Sequence, residues 1–156
     1  MYTEKVIIVT TDEKIFSKDF KGSDIEYLAS LINAEKLSFF EADPKRTTIK
    51  IWDKNGQPDE LTFNVFFDKN QEKCKKVNAL ISGGHLNKVI YGDVILLKDN
   101  NKQWTGFEES DDPEAITECY QLESYLKKER FANTQNIAEI HKEYDKKDLP
   151  FGTIDY

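Results

Sequence analysis

The chain is short of the side chains that carry covalent and metal chemistry. It has two His (His85 and His141), two Cys (Cys74 and Cys119) and one Met in 156 residues. Nucleophilic catalysis sets a Ser, Cys or Thr beside a base, most often His. His85 follows two glycines, and His141 stands near Glu139 and Glu143 with no nucleophile pattern beside it. Both read as surface residues. Metal centres gather His, Cys and carboxylates at characteristic spacing, which these scattered residues do not show. Asp53-Lys54-Asn55-Gly56 opens like a calcium loop but lacks the later ligands and the closing Glu. The expectation is a protein that is not an enzyme, with no catalytic residue, no metal and no cofactor.

The cysteines form no CxxC pattern, so they read as reduced thiols. The N-terminus, MYTEKVIIVTTDEK, has only a short apolar run flanked by acidic residues, unlike a secretory signal. No apolar run approaches the length of a membrane span. A cytoplasmic protein that does not engage membranes is expected.

Arginine is the other scarcity. Arg46 and Arg130 are the only two, and 29 acidic residues outnumber 22 basic ones for a net charge of −7. Recognition of phosphates and base edges favours arginine forks and clustered positive charge. Direct nucleic-acid binding is therefore not expected. The same negative balance suits a protein that competes for a nucleic-acid-binding surface, and it also serves solubility.

What the chain does have is aromatic residues, 12% of the total, which disordered chains lack. At this length they indicate one domain with a real core. Lys5–Thr11 and Lys14–Phe20 read as a strand pair. Ser23-Asp24-Ile25-Glu26 fits a capping box, followed by Ile25, Leu28, Ala29 and Ile32 at helical spacing, so a helix over Asp24–Asn33 is predicted. Leu37–Glu41 and Thr47–Trp52 are further strands. In the second, Ile49 and Ile51 face one way and Lys50 and Trp52 the other. Asn55-Gly56 turns a hairpin into Leu61–Phe67, unless Pro58 opens a short helix. Val89–Lys98 reads as one central strand with a bulge or close approach at Gly92, and Gln103–Phe107 as its return. Asp112 as N-cap and Pro113 at N1 would start a helix running to about Phe131. A second helix would start near Thr134 and end before Pro150.

The predicted fold is α+β: a mixed or antiparallel sheet with one early helix packed on it, followed by a C-terminal helical hairpin. Residues 1–109 form the body, 110–149 the hairpin, packed on the body or projecting from it, and 150–156 a tail of the same domain. The C-terminal helices or an open sheet edge are where a homodimer would form.

Glu108, Glu109, Asp111, Asp112, Glu114 and Glu118 place six carboxylates in one short segment. Helix capping accounts for some of them, but the run is denser than a cap requires. It is the candidate partner-binding surface. Trp52 and Trp104 are assigned to the core by default, and an exposed Trp would be an interface anchor. Ser82, Gly83, Gly84 and His85, with Lys88 and Arg46 or Lys50, are the alternative: a loop whose backbone amides could contact a small ligand.

Asn78-Ala79-Leu80, then Ile90-Tyr91-Gly92-Asp93-Val94-Ile95-Leu96-Leu97, a turn and a short strand resemble the end of a family of uncharacterised domains from phages, plasmids and other bacterial mobile elements. The order of a Val6–Val9 strand, an Ile25–Ile32 helix and a hairpin at Asn55-Gly56 fits as well. The resemblance runs from the N-terminus to Glu109, and the C-terminal hairpin departs from it. Similar small acidic proteins of mobile elements inactivate host defence proteins, including CRISPR nucleases. The resemblance thus implies an anti-CRISPR-like inhibitor in a bacterial cytoplasm, partnered with a nucleic-acid-binding defence protein. The runner-up is a protein that sequesters a nucleotide signal.

Overall fold

In the computed structural model the strands are set by where the chain can be buried. The structure describes residues 2–22, 24–40, 47–70, 76–82, 89–101 and 103–129. Their strands, β1 (Tyr2–Val9), β2 (Ile15–Asp19), β3 (Leu37–Phe40), β4 (Thr48–Trp52), β5 (Pro58–Asp68), β6 (Val94–Asn100), β7 (Gln103–Thr105) and β8 (Phe107–Ser110), join in one sheet of order β2-β1-β6-β5-β3. β4 pairs with β5, β7 with β6, and β8 with β1. Every one of these pairings is antiparallel. Among the described residues two helices complete the α+β architecture: α1 (Ile25–Leu31) and α2, residues 118–129.

Val6–Val9 of β1 and Val94–Leu97 of β6 are buried at every position. Such unbroken apolar runs occur where both faces of a sheet are covered. On one face Val6, Ile8, Phe66, Ile95 and Leu97 meet Leu28 and Ile32 of the α1 segment. On the other, Ile7, Val9, Phe63, Val65, Val94 and Leu96 meet Leu80, Ile81, Ile90 and the α2 residues Cys119, Leu122 and Leu126. The alternation along β1 and β6 thus feeds two cores, one under each helix. α2 belongs to the same core as the sheet, while the second C-terminal helix predicted from Thr134 lies outside the described residues.

Several boundaries differ from the sequence reading, each for a local reason. The cap of α1 is Asp24, whose carboxylate accepts the Glu26 and Tyr27 N–H groups. The predicted strand from Val89 starts only at Val94. Gly92 turns the chain with φ of 81°, and the Asp93 carboxylate accepts the Thr11 N–H. Pro58 opens a strand, not a helix. The predicted return strand divides at Gly106 into β7 and β8, which pair with different neighbours. A Cβ on Gly106 would sit 2.8 Å from Phe20 Cβ and 3.0 Å from the Lys5 backbone nitrogen, so only glycine lets β1 pass this close. Asp112-Pro113 does not begin the helix. Asp112 accepts the Glu114 and Ala115 N–H groups in a turn, and Thr117 caps α2 through its Oγ1 to the Tyr120 N–H at 3.2 Å.

Two buried polar residues fix the connections. Asp68, 2% exposed, accepts the backbone N–H groups of Glu35, Lys36 and Asn70 and so anchors the passage from α1 to β3. The Asn78 amide donates to Val9 O at 2.9 Å and Gly92 O at 3.0 Å, tying the 76–82 segment to β1.

Candidate functional site

The acidic segment leaves the sheet along β8, turns at Asp112 and enters α2, and this path divides its six carboxylates. Glu118 is turned inward. One of its oxygens accepts the Glu108 N–H at 2.9 Å and the other pairs with Lys98 at 2.7 Å. Glu108 pairs with Lys54 at 2.6 Å. That hydrogen bond holds the lysine above its usual range, and the ammonium lies 4.3 Å from the Tyr2 ring centre. These two carboxylates join β8, β6, α2 and the β4–β5 turn to one another.

The other four face outward. Asp111, Asp112 and Glu114 are exposed and Glu109 is half-exposed. Asp112 and Glu109 accept N–H groups from neighbouring residues. None of the four forms an ion pair among the described residues.

Beside Glu108 and Glu118 lies an apolar surface that the default core assignment of Trp52 missed. Trp52 is 56% exposed, Tyr120 71% and Ile116 36%. The signal was in the alternation of β4: Ile49 and Ile51 are buried, which turns Lys50 and Trp52 to the opposite side. The edge of β4 at Trp52 is closed by α2. Gln121 accepts the Trp52 N–H at 2.8 Å and donates to its carbonyl at 3.0 Å, standing in for a neighbouring strand. This contact fixes Trp52 against the start of α2. Between the β4–β5 turn and the acidic segment runs a cleft of about 300 Å³, lined by Trp52, Asp53, Asp59, Glu108, Ile116 and Glu118, among others. Trp104, by contrast, packs edge-on against Phe66 at 5.4 Å and beside Phe39.

The small-ligand alternative has two described members, Ser82 and Lys50, and Lys50 is exposed on β4. Ser82 is fully buried, and its hydroxyl is bonded to both the N–H (2.7 Å) and the carbonyl (3.0 Å) of Ile90. Gly83, Gly84, His85, Lys88 and Arg46 lie outside the described residues, as do Cys74 and His141. Cys119 is buried with its thiol toward Phe107 O, and burial pushes its pKa up to about 12. A thiol so placed carries almost no thiolate at neutral pH, the form that reacts. Among the described residues no group of three or more His, Cys, Asp or Glu could hold a metal ion. No described helix is long and apolar enough to cross a membrane. Comparison of the chain with family models, with curated proteins and with solved structures returned no match.

Proposed function

We propose that this protein is a non-enzymatic inhibitor from a phage or mobile element that docks on a basic, nucleic-acid-binding surface of a host defence protein such as a CRISPR nuclease. The observation that supports it is the set of four outward carboxylates, Glu109, Asp111, Asp112 and Glu114, which form no ion pair among the described residues, on a segment that also carries exposed Ile116 and Tyr120 and meets exposed Trp52 at Ile116. Polar and charged side chains at the rim of exposed aromatic anchors are the make-up of a protein interface. Negative potential on such a face speeds the approach to a basic surface and makes it salt-sensitive. In this reading the protein acts in the bacterial cytoplasm.

Glu118 and Glu108 have another role in this proposal: they hold the docking segment in shape. Reversing their charge would damage the fold and mimic a loss of binding. The test therefore uses Glu109→Lys, Asp111→Lys, Asp112→Lys and Glu114→Lys together. Purified CRISPR nucleases and other nucleic-acid-binding defence proteins are assayed for DNA or RNA binding with each form present. Wild-type protein is expected to block at least one of them at near-stoichiometric amounts, and the fourfold variant to fail. No inhibition across the panel, or equal inhibition by the variant, contradicts the proposal.

A further inference from the structure

The cleft beside Trp52 has a composition that specifies its occupant more narrowly than the acidic face does. Its walls include the indole of Trp52 and the side chain of Ile116, and four carboxylates line it: Asp53, Asp59, Glu108 and Glu118. Among the described residues Lys54 is the one cation in the lining, and its charge is matched by Glu108. Glu118 is matched by Lys98. Asp53 and Asp59 each accept backbone N–H groups of the β4–β5 hairpin but form no ion pair among the described residues. Two unmatched carboxylates therefore stand beside a half-exposed indole in a space of side-chain dimensions.

Within the docking reading above, we infer that this cleft receives an arginine side chain from the partner protein. Arginine fits on three counts. Its guanidinium is planar and stacks on an indole face, the best of the aromatic partners for a cation. Its fork meets a carboxylate with two parallel hydrogen bonds, which a lysine ammonium cannot do. Its methylene stem lies along apolar surface such as Ile116 while the charged head reaches Asp59 or Asp53. Lys54 shows the same chemistry within the chain, held between the Tyr2 ring and Glu108. The net negative charge of the molecule disfavours a second copy of this chain as the occupant.

The probe is acetyl-Gly-Arg-Gly-amide, titrated into the full-length protein and followed by proton–nitrogen NMR. Its counterpart with citrulline, isosteric but uncharged, is the control. Saturable shifts are expected at the Trp52 indole N–H and the amides of Lys54 and Asp59, with none from the citrulline peptide. Trp52→Ala and Asp59→Asn should each weaken the interaction roughly threefold or more. Both side chains lie outside the cores, so folded variants are expected, and their undisturbed spectra away from the cleft verify this. Absence of shifts at these signals, equal shifts from citrulline, or shifts that follow protein concentration without probe would overturn the inference. The last result would assign the cleft to self-association. The fourfold lysine variant of the outward carboxylates should still bind the probe. Failure of the arginine peptide therefore removes the cleft assignment alone, and failure of the inhibition assay removes the docking reading.

Discussion

Cys119 shows how one residue ties burial to pH. The unfolded thiol titrates near 9.0, and burial raises the folded value to about 12. Between those values the unfolded chain has released its proton and the folded one retains it. Stability must then fall as pH rises above 9, by about 1.4 kcal/mol per pH unit, with no contribution from this group below 9. Urea unfolding at pH 8, 9 and 10 should show this decline in wild type and a shallower one in Cys119→Ala; parallel curves would contradict it. Gly106 makes a steric case at the same scale. Gly106→Ala sets a methyl within 3.0 Å of the β1 backbone, and a loss of about 1–3 kcal/mol is expected in denaturant titration.

At the scale of elements, α2 is an amphipathic helix held on the sheet by one stripe. Leu122 and Leu126 are fully buried, while Tyr120 on the opposite side is largely exposed. Leu122→Ala should cost about 2–5 kcal/mol, whereas Tyr120→Ala should leave stability within about 0.5 kcal/mol; calorimetry on the two variants separates them. The sequence made β1, β2, β4 and β5 legible because their apolar periodicity is local. It misplaced the start of α2 because Asp-Pro signals a helix cap and a turn alike, the same carboxylate accepting a backbone N–H two residues on in either case. It read Val89–Lys98 as one strand because apolar content alone does not reveal the left-handed Gly92 that breaks it. The split of the last strand at Gly106 depends on how near β1 passes, which no local pattern carries.

For the whole molecule, the acidic run was visible in the sequence, but its division into roles was not. Glu118 meets Lys98 and Glu108 meets Lys54 only after the sheet has closed. The neighbouring Trp52 could be turned outward by the alternation of β4, yet its place beside Ile116 depends on Gln121 bridging from α2. What emerges is a two-core scaffold whose acidic segment, with four carboxylates that form no ion pair among the described residues, adjoins exposed Trp52 at Ile116. The central claim is that this segment docks on positive charge. The most direct measurement is the association rate with a defence protein that the wild type inhibits, taken at rising salt concentration for wild type and for the fourfold Glu109, Asp111, Asp112 and Glu114 lysine variant. The account predicts a wild-type rate that falls steeply between low and physiological salt, and a variant rate that is slower at low salt and nearly flat. Equal rates and equal salt slopes for the two proteins would contradict it.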